Sequence, residues 1–427
     1  MVAKKRLKVL YVCPFAHYTG HFSWAAVHET QALAQAGVKV ELLTFCGVTD
    51  GAEVKVPQSN VRQHTTFGIP LYHLANFLRR WKGIAFISMF LEAFLTQSVA
   101  IRVKRKRGYD IIHLRDGEPF LFLPHLLSLA LKDYSWVISL TGNNFINNSP
   151  QLAALRQDIR LLPYALYIKT INCKFWKPVY QKSLAQNRFL FLTQNEIIKQ
   201  ITESYMGGIL SGKVLCLPLG VSVTGRVLSR EETKRHFGLP QDKPVFLSFG
   251  FLHAGKDTET IFRALKDVPD AFLLHGGDEG TVAEPLKLAN LAIKYAMQER
   301  TIVRNYYIPE EKKPYYFFAA DAIILSYTRQ FLSTTSLLWQ ACRFGKPVIA
   351  SDNGQLKELV ESYHLGLLFK AQDAGSLREA ITRFINLKPA EIKRMKDNCH
   401  RFVTEFSHEK WAQKCLEVYD SLLANRS

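Results

Sequence analysis

Short apolar runs alternate along the chain with longer stretches in which apolar residues recur at helical spacing. The first two runs, KVLYVCPF (8–15) and VKVELLTF (38–45), flank HETQALAQAG (28–37), which has a helical pattern and ends in glycine. A helix that ends at glycine and is followed by a β-branched run is typical of a βαβ unit. Further apolar runs of the first half lie at 109–114, 136–140, 188–193 and 213–219. This alternation predicts a parallel α/β sheet.

The same alternation restarts after a polar, charged passage at 229–243. The apolar runs of this second series are PVFLSFG (244–250), AFLLHGG (271–277), TIVRNYYI (301–308), DAIILSY (321–327) and PVIAS (347–351). The two series predict two Rossmann-like, doubly wound α/β domains facing a cleft. Ligands of such sheets bind beyond the carboxyl ends of the strands, so we sought candidate residues there.

The composition indicates the net charge of the chain and the redox environment of the compartment in which we expect it. In 427 residues, Lys and Arg exceed Asp and Glu by 18, and the sequence pI is about 9.5. The excess predicts an anionic partner, which could be a nucleoside diphosphate, a nucleic acid or an anionic membrane surface. Seven scattered cysteines without a C-x-x-C pair favour a reducing compartment and argue against structural zinc. We interpret the N-terminal sequence as a first strand rather than a signal peptide, and we expect a cytoplasmic protein.

One apolar stretch, GIAFISMFLEAFLTQSVA (83–100), is too short and too charged for a membrane span. Basic residues flank it at 79–82 and again in RVKRKR (102–107). Two interpretations stay open. The stretch is either an amphipathic helix that lies on the cytoplasmic face of an anionic membrane, or a core helix with solvated basic ends.

The clearest candidate for phosphate binding follows the first strand of the second series. In FGFLHAGKDTETIFRAL (249–265) the strand ends at Gly250, and Lys256 stands just before a helix. A lysine beside a helix N-terminus is well placed to bind a diphosphate, although a solvated loop lysine is the ordinary alternative. Gly276 and Gly277, at the end of the next strand, allow the backbone to approach a nucleotide or simply form a turn.

A second candidate is the sequence LSTTSLLWQACRFGKPVIAS (332–351), which begins a helix after a strand. It contains four consecutive hydroxyl residues and, further along, a glutamine; these candidates are Ser333, Thr334, Thr335, Ser336 and Gln340. Of these, Ser333, Ser336 and Gln340 share one face of the predicted helix. Hydroxyls and free amides in a first helical turn favour an anion. A hydroxyl N-cap with no ligand is the structural alternative.

The first half has weaker candidates, which also follow predicted strands. Charged and polar residues in such loops suit acid–base chemistry or the positioning of an acceptor, although any one of them can be a surface charge. The catalytic candidates are Arg115, Asp116, Glu118 and His21, and the acceptor-side candidates are His17, Gly20, His113, Thr141 and Asn143.

The sequence gives little support for a metal. It contains no D-x-D, and the nearest approach is Asp257-Thr-Glu259 at a predicted helix start. Without a carboxylate pair for Mg²⁺, the charge of a leaving group would be balanced by Lys, Arg and helix dipoles. We therefore expect no metal and no cofactor.

Taken together, these motifs resemble group 1 retaining glycosyltransferases, which have the GT-B fold of two Rossmann-like domains. The resemblance is carried by Lys256 and by YYIPEEKKPYYFFAADAIILSY (306–327), FGKPVIASDNGQLKELV (344–360) and LGLLF (365–369). KVLYVCPF with the following βαβ unit, RGYDIIHL (107–114) and VLCLPLGVSV (214–223) resemble the family's first half. FSHEKWAQKCLEVYDSLL (406–423) is similar to its terminal helix.

The resemblance implies roles for individual residues. Lys256 takes the position that binds the diphosphate, and Phe251 occupies the position of a second clamp that is commonly Arg. The acidic E-x7-E motif of the family falls on Leu332 and Gln340, of which Gln340 can still bond the ribose hydroxyls. Glu358 matches the downstream glutamate. The chain is thus similar to a divergent branch without these two acids.

The resemblance implies an N-terminal acceptor-binding domain at 1–218, a C-terminal nucleotide-sugar-binding domain at 219–405, and a terminal helix at 406–427 that packs back on the first domain. It predicts a metal-independent, hexosyltransferase-type enzyme that moves a sugar from a nucleoside diphosphate-sugar to a carbohydrate or lipid-linked acceptor with retention, in glycan, exopolysaccharide or glycolipid biosynthesis.

Two alternatives remain. One is a non-catalytic GT-B protein that acts as a sugar-nucleotide sensor or as the partner subunit of another transferase. The other, a nucleic-acid-binding protein, rests on charge alone and lacks a recognised module, so we expect no nucleic acid partner.

Overall fold

The computed structural model describes ten ranges of the chain: 6–17, 21–45, 61–65, 85–116, 122–141, 176–205, 208–222, 227–253, 255–278 and 287–424. The chain divides into two compact units. The first comprises Met1–Gly220 with His408–Ser427, and the second comprises Val221–Ser407.

The first unit is built on a seven-stranded parallel sheet with strand order β3-β2-β1-β4-β5-β6-β7. Its strands are β1 (Lys8–Cys13), β2 (Lys39–Thr44), β3 (Val61–Thr65), β4 (Ile111–Leu114), β5 (Ser135–Leu140), β6 (Arg188–Thr193) and β7 (Val214–Cys216). Its helices are α1 (His21–Gln35), α2 (Ala85–Arg107), α3 (Phe122–Leu127), α4 (Lys177–Gln186), α5 (Glu196–Tyr205) and, at the end of the chain, α14 (His408–Ala424). A short 3-10 turn, Ser128–Ala130, follows α3.

Both faces of this sheet are buried, which explains why its strands are nearly continuous apolar runs. Successive side chains of a strand point to opposite faces. Leu10 and Val12 of β1 accordingly pack in one core cluster, whereas Val9 and Tyr11 pack in another. The second cluster includes Trp411 and other residues of α14, which contacts α1.

The second unit contains a six-stranded parallel sheet with strand order β10-β9-β8-β11-β12-β13. Its strands are β8 (Val245–Phe249), β9 (Phe272–Gly276), β10 (Thr301–Arg304), β11 (Ala322–Leu325), β12 (Val348–Ser351) and β13 (Gly366–Phe369). Its helices are α6 (Arg230–Phe237), α7 (Thr258–Leu265), α8 (Lys287–Lys294), α9 (Lys313–Ala319), α10 (Ser336–Arg343), α11 (Gly354–Tyr363), α12 (Ala374–Ile385) and α13 (Pro389–Glu405). A short 3-10 turn, Gln298–Arg300, precedes β10.

The predicted α/β class with two doubly wound sheets is confirmed. In each sheet the strand order changes direction beside the first strand of the series, between β1 and β4 and between β8 and β11. Such switch points leave room for ligands at the carboxyl ends of the strands. The apolar stretch at 83–100 contributes to the longer helix α2, and among the described residues no helix has the length and hydropathy of a membrane span.

The edge strand β13 depends on a glycine. Gly366 pairs with Val348, and a Cβ atom on Gly366 would lie 1.9 Å from the carbonyl oxygen of Val348. We expect Gly366→Ala to lower the free energy of unfolding by about 1–3 kcal/mol, because the backbone of two strands must shift. The measurement is chemical denaturation. Gly375→Ala is the control, since its Cβ would meet only the Asp373 side chain, at 3.3 Å; equal stability of the two variants would contradict the prediction.

Candidate functional site

The carboxyl ends of four adjacent strands, β9, β8, β11 and β12, carry the donor-site candidates of the second unit. Gly250 follows β8 with a φ of 85°, and Gly277 follows β9 with a φ of 150°. A Cβ atom on Gly277 would lie 2.5 Å from the carbonyl oxygen of Gly250, and one on Gly276 would lie 2.4 Å from the ring of Tyr316. These glycines therefore allow two loops and one aromatic ring to pack closely.

Lys256 lies in the loop after β8, and its backbone forms an antiparallel bridge with Tyr327, which follows β11. The Lys256 amino group donates a hydrogen bond to the carbonyl oxygen of Phe249 at 2.5 Å. Burial lowers the pKa of Lys256 to about 7 because it disfavours the charged form. No carboxylate among the described residues pairs with this amino group. An anion bound beside Lys256 would favour its charged form.

The hydroxyl residues mostly precede helix α10 rather than forming its first turn. The helix begins at Ser336, so Ser333, Thr334 and Thr335 lie before it. Thr335 is the N-cap residue, and its hydroxyl oxygen accepts a hydrogen bond from the backbone N–H of Leu337 at 3.3 Å. The capping interpretation therefore holds for Thr335.

Two of these hydroxyl groups also contact other side chains. The Thr335 hydroxyl lies 2.5 Å from that of Tyr327, and the Thr334 hydroxyl donates to Oε1 of Gln355 at 2.6 Å. Their hydrogen-bonding capacity is thus partly used within the protein. The backbone N–H groups of Leu337 and Leu338 are used as well, since they donate to the hydroxyl and the carbonyl oxygen of Thr335, each at 3.3 Å. The partial positive charge at the N-terminus of α10 is the remaining feature that favours an anion at this position.

Gln340 lies on α10, one turn beyond its start. Its Oε1 atom is buried and has no hydrogen-bond partner among the described residues. A buried acceptor without a partner is costly, so a donor group such as a ribose hydroxyl would satisfy it. Glu358 differs, because it lies in the second turn of α11 and is exposed to solvent. Its predicted place beside the donor is therefore not supported by burial or by hydrogen bonds.

Sequence reasoning missed three residues that organise this edge of the sheet. Tyr327 is 2% exposed, and its backbone N–H donates to Ser351 Oγ at 3.3 Å. Gln355 contacts Thr334, and Asn353 donates from Nδ2 to the carbonyl oxygen of Phe331 at 2.7 Å. The sequence signal that could have identified these residues is their position shortly after β11 and β12, where ligands of such sheets bind.

In the first unit Arg115 and Asp116 belong to a buried ion-pair cluster at the end of β4. Arg115 lies 3.2 Å from Glu29 and 3.6 Å from Asp116, and all three side chains are at most 3% exposed. Tyr11 donates a short hydrogen bond to Glu29. Burial alone would lower the pKa of Arg115, but the two carboxylates outweigh it and raise that pKa. Burial also raises the pKa of Glu29. These residues are thus not surface charges.

Next to this cluster lies a small cavity of about 10 Å³, which is roughly the space of one water molecule. Its lining includes Glu29, Arg115, Ser139, Gln194 and Trp411. Asp116 has a φ of 58°, a conformation that is uncommon for residues other than glycine. Both of its carboxylate oxygens are buried without a hydrogen-bond partner among the described residues.

His113 lies inside β4 and is fully buried. Its Nδ1 atom is 2.6 Å from the Tyr419 hydroxyl of α14, and its Nε2 atom is 2.7 Å from Ser139 Oγ. Burial lowers the pKa of His113 to about 3, and Arg115 adds to this effect, so the imidazole is neutral. The contacts give His113 a structural role that joins α14 to the sheet, which corrects its predicted place in an acceptor-facing loop.

The other candidates of the first unit are only partly defined. His17 is buried and lies 3.4 Å from Glu92 of α2. Thr141 directly follows β5, next to β4, and His21 is the first residue of α1. Gly20, Glu118 and Asn143 lie outside the described residues. Among the described residues no group of three His, Cys, Asp or Glu side chains is placed to hold a metal ion.

Residues 229–402 match the family model described as glycosyl transferases group 1. This match lies within the second unit. No curated protein matches the chain.

Solved structures resemble the chain over nearly its whole length. Sucrose-phosphate synthase from Thermosynechococcus elongatus is 18% identical, with 98% of this chain and 100% of that chain covered and a TM-score of 0.69. A glycosyltransferase from Rickettsia africae is 16% identical, with 99% and 100% covered and a TM-score of 0.69. Anabaena HepE in complex with UDP-glucose is 14% identical, with 97% and 100% covered and a TM-score of 0.69. At these identities the likeness establishes the GT-B fold.

The ion-pair cluster of the first unit yields a stability prediction. We expect Arg115→Met to lower the free energy of unfolding by about 3–5 kcal/mol, because it leaves Glu29 and Asp116 buried without their cation. Thermal or chemical denaturation measures this loss. Arg105→Met removes an exposed arginine and should change stability by about 0.5 kcal/mol or less. A similar, small effect of both substitutions would show that the cluster does not stabilise the unit.

Proposed function

We propose that the protein is a glycosyltransferase that moves a sugar from a nucleoside diphosphate-sugar to a carbohydrate or lipid-linked acceptor. The observation that carries this proposal is the buried amino group of Lys256, which has no carboxylate partner among the described residues and lies within the segment that matches the group 1 glycosyl transferase model. The loop of Lys256 is bridged to the segment that leads into α10. A diphosphate is the ligand whose charge suits this pair of groups.

In this proposal the departing nucleoside diphosphate is stabilised by Lys256 and by the partial positive charge at the N-terminus of α10. Negative charge develops on the diphosphate as the glycosidic bond breaks, and groups already aimed at that charge lower the barrier. The protein supplies this charge itself, so the transfer needs no metal ion. We expect transfer of a hexosyl group with retention, as in the family that the sequence resembles.

The nucleoside would be held by Gln340. Its buried Oε1 atom, which has no partner among the described residues, can accept a hydrogen bond from a ribose hydroxyl. Support for a nucleotide-sugar also comes from Anabaena HepE, whose solved structures include complexes with UDP and with UDP-glucose.

The acceptor would bind to the first unit. The buried carboxylate of Asp116 is the strongest candidate there, because both of its oxygens lack hydrogen-bond partners among the described residues and could accept a bond from an acceptor hydroxyl. Arg115 would hold that carboxylate in place. We place this activity in the biosynthesis of a glycan, exopolysaccharide or glycolipid, in the cytoplasm.

A second candidate function is a non-catalytic GT-B protein that senses a sugar nucleotide or serves as the partner subunit of another transferase. Leu332 and Phe251 favour it, because neither side chain can supply the charge found at the corresponding positions of the family. Phe251 is 51% exposed at the end of β8, where it cannot bind a phosphate. Binding of a nucleotide-sugar without turnover would support this function.

The donor site is tested by Lys256→Met. We expect the wild-type protein to bind at least one of UDP-, GDP- and ADP-glucose, and the variant to bind it about 10- to 100-fold more weakly, because a charge-assisted contact with the diphosphate is lost. Calorimetry measures binding, and nucleotide release with a membrane extract measures turnover. Lys266→Met, at an exposed site just after α7, is the matched control. Equal binding by both variants would refute the donor site.

Donor affinity should also depend on pH. Since the pKa of Lys256 is about 7, its amine is mostly neutral above that pH, and binding a diphosphate must first take up a proton. Affinity should therefore be highest below pH 7 and fall by up to about 10-fold per pH unit above it. Lys256→Arg keeps its charge throughout this range, so its affinity should be flat. A flat profile for the wild-type protein would contradict the assignment.

A further inference from the structure

Helix α2 (Ala85–Arg107) packs one side against the core of the first unit, where Ala93 and Ala100 are buried. The buried side also carries polar residues, which are Ser88, Glu92, Thr96 and Gln97. Its outward face carries Ile87 and Leu91, which are 39% and 40% exposed and lie one turn apart. A helix at the surface of a soluble domain ordinarily turns its apolar residues inward.

The orientation of α2 is fixed by polar contacts on its inner side. Ser88 donates a hydrogen bond to the Glu92 carboxylate at 2.8 Å, and Thr96 donates to the carbonyl oxygen of Glu92 at 2.7 Å. The same carboxylate lies 3.4 Å from His17. Rotating the helix to bury Ile87 and Leu91 would break the contact with His17. The exposure of these two apolar side chains is therefore a stable feature of the helix.

A neighbouring helix also exposes an apolar residue. Helix α3 (Phe122–Leu127) contacts both α2 and α4 (Lys177–Gln186). Its Leu126 side chain is 37% exposed. Three of the eight exposed large apolar residues among the described residues thus lie on the adjoining helices α2 and α3.

The three helices α2, α3 and α4 are also strongly basic. Their only acidic residue is the buried Glu92, and their basic residues are Arg102, Lys104, Arg105, Lys106, Arg107, Lys177 and Lys182. Arg107 pairs with Glu41, and Lys104 donates to the carbonyl oxygens of Tyr109 and Asp110. Arg102, Arg105 and Lys106 are exposed and form no ion pair with the described residues. The net positive charge of this layer is therefore available to a partner.

The positive charge of the first unit is not spread evenly. Helix α14, which packs against α1, exposes three acidic and two basic residues, namely Glu409, Glu417, Asp420, Lys410 and Lys414. The excess of the α2–α4 layer is therefore a local property of one surface. An anionic partner would be drawn to that surface, and not equally to every side of the unit.

We propose that the exposed surface of α2, α3 and α4 docks on an anionic lipid bilayer. The apolar residues of α2 would enter the boundary between headgroups and acyl chains, and its basic end would contact anionic headgroups. Ile87 and Arg102 are 15 positions apart, so this contact extends over about 22 Å along the helix. A helix used in this way lies in the plane of the interface and does not cross the bilayer.

A lipid surface fits these residues better than a nucleic acid does. Nucleic acids are bound by basic residues together with stacking aromatic or hydrogen-bonding side chains. On α2 the exposed residues beyond the basic end are aliphatic, and aliphatic side chains gain free energy by leaving water for an acyl layer. Binding to nucleic acid is kept as an outcome of the test.

The test is co-sedimentation of the whole protein with phosphatidylcholine vesicles that contain or lack phosphatidylglycerol. We expect binding only with the anionic lipid, and most of it should disappear at about 0.5 M salt because the charges are screened. Arg102→Gln/Arg105→Gln should weaken binding about 30-fold, at roughly 5-fold per basic residue. The matched control Lys410→Gln/Lys414→Gln removes the same charge from α14 and should change binding by about 2-fold or less.

The apolar contribution is tested separately. Ile87→Ser/Leu91→Ser should weaken binding several-fold at low salt, whereas Ile293→Ser, at an exposed site in the second unit, should not. Equal binding to neutral vesicles, equal effects of the α2 and α14 charge variants, or binding to duplex RNA in place of vesicles would each overturn the proposal. Nucleotide-sugar binding by the same variants should be unchanged, so failure of the docking surface and failure of the donor site are distinguishable.

Discussion

The β-bridge between Lys256 and Tyr327 is the contact on which the candidate donor site depends. Two further backbone bonds reinforce it, from Asp257 N–H to Ser326 at 3.0 Å and from Thr328 N–H to Gly255 at 2.9 Å. They join the loops after β8 and β11 at the point where the strand order reverses. Because Tyr327 also bonds the N-cap of α10, the lysine amine and the helix start are held in a fixed relation. A site built in this way is organised before its ligand arrives.

This organisation has an energetic cost in the unliganded protein. The charged form of Lys256 is disfavoured by burial, and the Oε1 atom of Gln340 is buried without a partner among the described residues. Each group would be better satisfied in water than in the protein alone. Since the pKa of Lys256 is about 7 in the folded protein and higher in the unfolded chain, the destabilising effect of burying Lys256 becomes smaller as the pH rises above 7. Lys256 and Gln340, which lower the stability of the unliganded protein, are therefore the residues that a diphosphate and a ribose would satisfy.

The sequence allowed the fold to be predicted because its signals are local. Each signal can be recognised within a few residues of sequence, including the apolar runs, the glycines at helix ends and the strands of the second series. The contacts of the first unit are not local. His113 bonds Tyr419, which is 306 positions away, and Arg115 finds Glu29 on a helix between other strands. No spacing pattern in the sequence predicts such pairs. His113 and Arg115, which we expected near an acceptor-facing loop, are therefore found buried.

The candidate donor site was predicted from similarly local signals. Lys256 and Gln340 could be singled out because each stands at a fixed distance from a recognisable strand or helix, and their roles in donor binding stay predictions. The start of α10 was placed too early, since a run of hydroxyl residues does not reveal which of them caps the helix. Gln355 and Tyr327 gave no signal beyond their position after a strand, because their roles depend on partners brought together only by the sheet.

The positive charge of the chain has two separate physical consequences. At the donor edge a single buried amine matters, because low polarity strengthens its attraction to a bound anion and salt screens it little. On the α2–α4 layer several solvated charges matter together, and each one alone would be weak and readily screened. The net charge of the chain does not distinguish the buried amine of Lys256 from the solvated charges of the α2–α4 layer. Their burial does. The buried amine suits a small anionic ligand, whereas the exposed layer suits an extended anionic surface.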